Sequence, residues 1–581
     1  MKPILSPLLI AGLLTFAACA TSGPRGPAYD FTDDRPPEAM AYRDFMIARI
    51  ASLTNDPQTA SRRYAAIIDD MPEQASIAER AVFSALLAGD YAAATGLSSR
   101  AMTAGSDASL VRLTLATDAL VRGKPRQAQP YLEGAPFQPF NRNIANTMSA
   151  WRALRQDGLD AAIPYIEQGL TGDLRYDSPS LYMLGLLQLS GGAEEDALAT
   201  FERVWSSGAR LAIGVEAHAE LLAARGDRAR ALEVIEAFRA EVGTNAALAA
   251  LAARIESGAR IKPRRLTTRQ GAALALYVPA AALMYQTNDD LASVYFVLAL
   301  ALDPDLHVAR ALWAQALENG DRADDAIAIL SQVPKGSPYY ANAQGQLAGL
   351  LNAQGKSEEA LSLAAEALAG TPDRGLMLQL ADLYISLERF ADGEAVLSEV
   401  ITADGENEDW RVIFSRGAAR ERQGNWPAAE DDLKRALQLR PESATVLNYL
   451  GYSWIDRGEN LEEGFNLIRR AVVLEPLSGH IIDSLGWAHY KLGQYEEAVD
   501  YLERAVELLP GDPVLNDHLG DAYWRAGRRL EAGFQWERAL SLDPPEKDRE
   551  RIKAKLHSKL GPDAPEADAA PAPQPVQSGT P

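Results

Sequence analysis

The chain has 581 residues, 79 Asp+Glu against 57 Lys+Arg, and a formal net charge of −22. This balance excludes a generic nucleic-acid binder, which needs excess cations to neutralise phosphates. The single Cys excludes an internal disulfide framework and a Cys-rich zinc module, and a 47% hydrophobic content excludes global disorder.

The first residues read as a targeting segment. Met1-Lys2 is a short positive region, and Ile4 to Phe16 is an apolar stretch too short to span a bilayer. Phe16-Ala17-Ala18-Cys19 resembles a bacterial lipobox, with Phe16 at the place that pattern usually gives to Leu. The resemblance implies a signal peptide over 1–18, lipidation of Cys19, and retention at the periplasmic face of an outer membrane, because Ala20 rather than Asp follows the Cys. Acyl chains would hold the protein there at about 0.8 kcal/mol per buried methylene. Residues 19–40 read as a tether, with Gly23, Pro24, Gly26, Pro27, Pro36 and Pro37 in its length. Fully extended, its stretch from Thr21 to Pro37 would reach roughly 50 Å.

From residue 41 onward the chain repeats with a period near 34. Degenerate units cover 41–245: Ala60, Tyr64 and Pro72 mark the first, Gly89 and Ala94 the second, Gly185, Gly192, Ala197 and Phe201 the fifth, and Ala219, Gly226, Ala231 and Ile235 the sixth. Residues 246–272 break the rhythm and carry Arg260, Lys262, Arg264, Arg265 and Arg269. They read either as a solvated joint or as a basic docking patch for an acidic partner surface.

Eight further units are expected over 273–546. In the first of them Ala292, Phe296, Ala299 and Pro304 mark a second helix, and Pro279 implies a kink in the helix before it. The clearest is Gly479–Asp512, with Leu485-Gly486, the Gly493 turn, then Ala498, Leu502, Ala505 and Pro510. The neighbouring units repeat it as Leu450-Gly451, Gly464, Ile468, Ala471 and Pro476, and as Leu519-Gly520, Gly527, Ala532, Trp536, Ala539 and Pro544. This is the tetratricopeptide pattern. Small residues let the two helices of a hairpin approach, larger ones fill the space beside them, and Pro ends the second helix. The expected fold is all-α: a right-handed solenoid of helical hairpins in two arrays with an irregular joint. Residues 547–560 read as a capping helix, and the Ala/Pro-rich 561–581 as a disordered tail.

Motifs for catalysis are missing: HExxH, GxxxxGK[ST], GxSxG and CxxC do not occur. His480, Asp483 and Ser484 do not make a triad, because neighbours on a helix point about 100° apart. His489 stands where the repeat has Tyr and reads as a packing residue. Glu194-Glu195-Asp196 and Glu358-Glu359 stand where second helices begin and complement the helix dipole. No metal, cofactor or catalytic residue is expected.

A ligand of stacked hairpins sits on the wall lined by first helices. Repeat numbering places Asn448, Tyr452, Ile455 and Asp456 there, then His480, Asp483, Trp487, Tyr490 and Lys491, then Asp517, Asp521, Trp524 and Arg525. Exposed Trp and Tyr would anchor a protein partner, or else pack between units. Two acids at equivalent places, Asp483 and Asp517, disfavour a peptide-carboxylate clamp. Tyr277, Met284 and Tyr285 form a second candidate wall.

LNYLGYSWIDRGENLEEGFNLIRRAV, IIDSLGWAHYKLGQYEEAVDYLERA and the lipobox together resemble large outer-membrane tetratricopeptide lipoproteins. Some members are adaptors that bring a periplasmic carboxyl-terminal processing protease to substrates such as cell-wall hydrolases. The resemblance implies a non-enzymatic adaptor with protein partners and a lipid-mediated membrane contact. The alternatives are a scaffold for polysaccharide secretion or outer-membrane assembly, and an unrecognised cell-wall hydrolase.

Overall fold

The computed structural model describes residues 37–558 except Ala135, Tyr285, Thr287 and residues 369–372. The signal segment, Cys19, the tether up to residue 36 and the tail 561–581 lie outside the described residues, as does Tyr285. Every regular element described is an α-helix.

Six hairpins come first: α1 (Pro37–Leu53) with α2 (Pro57–Asp70), α3 (Ala75–Leu87) with α4 (Tyr91–Thr103), α5 (Ser109–Val121) with α6 (Pro125–Leu132), α7 (Pro139–Gln156) with α8 (Leu159–Glu167), α9 (Leu174–Gly191) with α10 (Glu194–Ser206), and α11 (Ala212–Ala224) with α12 (Arg228–Glu241). The single helix α13 (Ala246–Glu256) occupies part of the stretch read as irregular. Its Ala-rich sequence keeps helical periodicity without a partner unit.

Eight hairpins follow: α14 (Thr268–Met284) with α15 (Asp289–Leu302), α16 (His307–Asn319) with α17 (Ala323–Leu330), α18 (Tyr340–Ala353) with α19 (Ser357–Leu368), α20 (Arg374–Ser386) with α21 (Phe390–Asp404), α22 (Trp410–Arg422) with α23 (Trp426–Leu439), α24 (Ala444–Arg457) with α25 (Leu461–Leu474), α26 (Gly479–Lys491) with α27 (Tyr495–Leu508), and α28 (Pro513–Arg525) with α29 (Arg529–Ser541). A last helix, α30 (Glu546–Ser558), closes the series. Pro279 sits inside one helix, α14.

Local chemistry sets the boundaries. Asp56 caps α2 by accepting the Thr59 N–H at 2.9 Å, with Pro57 at the first helical position. Asp512 caps α28 through the Val514 and Leu515 N–H groups, again followed by Pro. The acidic runs do open α10 and α19, beside the unpaired N–H groups of the first turn. Within the α24–α25 hairpin the helices cross backbone to backbone. A Cβ on Gly451 would lie 2.7 Å from the Gly464 carbonyl oxygen, so larger residues there would push the pair apart.

The helices form two compact units. The first takes α1–α12 together with α14–α15, the second takes α17–α30, and α13 and α16 fall at the boundary. The hairpin read as the first repeat of the 273–546 array thus packs with the N-terminal repeats. In the second unit the core runs through Phe414, Leu433, Leu447, Tyr449, Leu450 and Trp454, and continues through Leu502, Leu519, Tyr523 and Trp536.

Candidate functional site

In the first unit the wall of first helices is already occupied. Helix α14 packs along α7 and reaches α5 and α9, while α15 packs against α3 and α5. The sequence of α15, DDLASVYFVLALAL, explains why. Beyond its first turn it is apolar apart from Ser293, and Ala292 to Leu300 and Leu302 are all buried. A helix with no polar face must be enclosed. The fit is close at Gly271, where a Cβ would stand 1.9 Å from Cδ2 of the buried Trp151 on α7. The Tyr295 hydroxyl donates to Asn141 Oδ1 at 2.6 Å, and its ring lies 5.6 Å from Phe140. Burial pushes the Tyr295 phenol up to about 12. Tyr277 and Val278 are buried here too, so this hairpin offers packing rather than a second open wall.

The basic stretch before α14 is strapped to its own unit, in keeping with its reading as a joint. Arg264 pairs with Glu216, and its backbone N–H donates to Glu220 Oε2 at 3.0 Å. Arg265 pairs with Glu194 at 2.9 Å, and Arg269 Nε donates to the Leu302 carbonyl at 3.0 Å. Arg260 and Lys262 remain exposed. The guanidinium groups of Arg264, Arg265 and Arg269 thus each meet an acceptor of their own unit and tether the segment, while all five cations stay exposed.

In the second unit the wall positions on α24, α26 and α28 are also largely consumed. Asn448, Tyr452, Ile455, Asp483, Trp487, Asp517 and Asp521 are buried, which corrects their placement on an open face. His518 Nδ1 lies 3.0 Å from both Asp483 oxygens, and the Trp487 ring stacks on His518 at 4.0 Å and on Tyr490 at 4.6 Å. Lys555 of α30 donates to Asp517 at 2.8 and 2.9 Å and to Asp521 at 2.6 Å. Arg551 reaches Asp517 at 2.9 Å, and Trp536 Nε1 donates to Asp521 at 2.9 Å. The carboxylates that repeat numbering offered to a ligand are therefore satisfied by the chain itself.

Asp456, Tyr490, Lys491, Trp524 and Arg525 are half-buried, and so is His480. Lys491 lies 3.6 Å from Asp456, and Arg525 is hydrogen-bonded to the Tyr490 hydroxyl. Burial pushes the Tyr490 phenol up to about 12. His489 stacks on Tyr501 and meets the edge of Phe465, the packing role its place in the repeat suggests. Ser484 donates to the His480 carbonyl and Asp483 faces His518, so those three residues form no catalytic relay. Sequence reading missed His518, Arg551 and Lys555. Acids four apart at 517 and 521 and cations four apart at 551 and 555 were the available signal.

Two buried histidines respond to pH in opposite senses. Burial pulls His518 down, but the Asp483 carboxylate overrides it and holds the imidazole above its usual range. His218, buried 3.2 Å from Glu202, is held below that range because desolvation dominates. A raised histidine contributes stability that is complete below about pH 6.5 and fades as pH rises through its folded value. A depressed one costs stability as pH falls below about 6.5, since only the unfolded state takes up the proton. Chemical denaturation from pH 8 to 5 should show His518→Gln removing an acid-side gain in the second unit. His218→Gln should remove an acid-side loss in the first. Parallel pH curves for the two variants would contradict this assignment.

A cleft of about 450 Å3 opens in the first unit among Arg49, Asn55, Tyr64, Glu79, Arg80 and Asp290. It mixes cations and acids, and its Glu79 accepts the Ser106 hydroxyl at 2.6 Å. Among the described residues no three His, Cys, Asp or Glu side chains are grouped to hold a metal ion, and no helix is long and apolar enough to cross a membrane.

Tetratricopeptide-repeat models match residues 378–444, 414–479 and 482–512. The chain is similar to the TPR repeat-containing protein PA4667 of Pseudomonas aeruginosa, 27% identical over 168 residues. That match spans 29% of this chain and 28% of the relative's length. Among solved structures, a tetratricopeptide repeat protein from Parabacteroides merdae is 17% identical over 44% of this chain and 99% of its own, with a TM-score of 0.37. The APC/C hetero-tetramer Cut9–Hcn1 is 14% identical over 90% of this chain and 98% of its own, with a TM-score of 0.38.

Proposed function

We propose that this tetratricopeptide-repeat chain is a non-enzymatic adaptor of the bacterial envelope, held by a lipid on Cys19 to the periplasmic face of the outer membrane. In this reading it brings a carboxyl-terminal processing protease together with its substrates. Tetratricopeptide repeats act as protein-interaction scaffolds, and the observation that carries the non-catalytic part is how the buried polar groups are used. The clusters on the first-helix walls, Asp483 with His518 and Asp517 and Asp521 with Lys555, are spent on holding helices together. With both walls largely filled by the chain, partners dock on what remains accessible, including the half-buried Tyr490, Lys491, Trp524 and Arg525. The lipid would confine the adaptor, and raise the effective concentration of two bound partners for each other.

The test uses the chain from residue 20 onward, which carries every described helix, as bait in envelope extracts. The expected catch is a serine protease whose cleavage of a cell-wall hydrolase speeds up when the adaptor is added. Recovery of glycosyltransferases or pore-forming outer-membrane proteins instead would move the assignment to an export scaffold. Separately, Cys19→Ser should fold normally and shift protein from the membrane fraction into the soluble periplasm. A membrane-bound fraction unchanged from the parent would refute the lipid anchor.

A further inference from the structure

We propose that α1 is an interfacial helix that lays its outward face on a phospholipid surface. Tyr42, Met46, Ile50 and Leu53 are 68%, 43%, 57% and 78% exposed. No other described helix shows four large apolar side chains to solvent. At 100° per residue these four fall within an arc of about 80°. Arg49 stands about 20° outside one margin and Arg43 about 20° outside the other, and both are exposed.

The opposite face of α1, with Ala41, Asp44, Ala48 and Ala51, is buried and packs on α2. The outward stripe is thus surplus to the hairpin. A terminal repeat normally turns a polar face outward, and this one does not.

Three observations point to lipid as the occupant. Cys19 precedes Pro37 by 18 positions, so an acylated Cys would hold α1 within about 55 Å of the bilayer. An apolar stripe edged by arginines and carrying a Tyr is the pattern of a helix lying at the headgroup level. Arg43 and Arg49 are both exposed beside the stripe, and Arg43 shares the Asp44 carboxylate with Arg63 of α2, so this helix presents cations to phosphates in a chain of net charge −22. A symmetric pairing of two copies would instead crowd four arginines along its margins.

This inference uses the lipid anchor of the proposed function only to bring α1 to the surface, and its test omits the acyl group. The chain from residue 20 onward, made without acylation, is floated with vesicles of phosphatidylethanolamine and phosphatidylglycerol. A fraction should float with the vesicles. Ile50→Asp, and Tyr42→Ser/Met46→Ser/Ile50→Ser/Leu53→Ser, should lower the partition coefficient roughly tenfold with helical circular dichroism unchanged. Arg43→Glu/Arg49→Glu should weaken binding to vesicles rich in phosphatidylglycerol. Failure of the unacylated parent to float would overturn the proposal even if the acylated protein is membrane-bound. So would a vesicle-free dimer that Ile50→Asp converts to monomer. Flotation of the unacylated chain together with an unchanged membrane-bound fraction for Cys19→Ser would refute the anchor and leave the helix assignment standing.

Discussion

Trp151→Ala is expected to cost about 3–5 kcal/mol and to loosen the α14–α15 hairpin from the first unit. Trp151 is fully buried, and its ring fills the space left by the missing side chain of Gly271. Truncation removes a close contact between α7 and α14 and leaves a cavity between them. Gly271→Ala attacks the same contact from the other side, by forcing a methyl group into the indole, at about 1–3 kcal/mol or more. The double variant should cost less than the sum, because removing the ring makes room for the methyl. Denaturant unfolding monitored by far-UV circular dichroism gives the energies. Protease cleavage between residues 257 and 290 reports the release of the hairpin. A Trp151→Ala protein as stable and protease-resistant as the parent would refute the picture of a filled wall.

Lys555→Met should destabilise the second unit by about 3–5 kcal/mol, although it exchanges a charged side chain for an apolar one of similar length. Lys555 is the shared partner of two carboxylates, Asp517 and Asp521, that have almost no access to solvent. Without it, Asp517 keeps Arg551 but Asp521 keeps only the neutral Trp536 N–H, and an uncompensated charge buried among helices is costly. Asp517→Leu/Asp521→Leu/Lys555→Met removes all three charges and should recover roughly half or more of the loss. Hydrogen exchange over 546–558 distinguishes the two. Protection of α30 should fall in the single variant and return in the triple variant. Equal destabilisation by single and triple variants would mean that packing, not charge, holds α30.

The repeat itself was legible because its spacing has a steric origin. Gly451 and Gly464 allow two backbones to meet, and no other residue types at that separation do the same job. The period alone separates the six hairpins of α1–α12 from the eight that follow. It does not reveal which wall a hairpin meets. The α14–α15 hairpin has the right internal spacing for a repeat, and its departure shows only in α15, whose residues from 292 onward leave no face for water.

The ligand wall failed for a related reason. Repeat numbering projects Asp483, Asp517 and Asp521 onto the correct side, but whether that side is open depends on what comes later in the chain. Here a histidine one repeat away and two cations on α30 close it. The acidic partners of the basic stretch, Glu194, Glu216 and Glu220, lie on two earlier helices, so their pairing with it was not legible in sequence.

Residues that seal the first unit are made last. Helices α3, α5 and α7 leave the ribosome well before α15, so each nascent molecule passes through a stage in which their apolar sides have no cover. More than a hundred residues separate α7 from the end of α15, and at about 5–20 residues per second that exposure lasts for seconds. A premature stop anywhere between residues 157 and 302 would yield a product that no refolding can complete. Such fragments belong to chaperones and proteases, whereas a break after Leu302 leaves the first unit with all of its own hairpins.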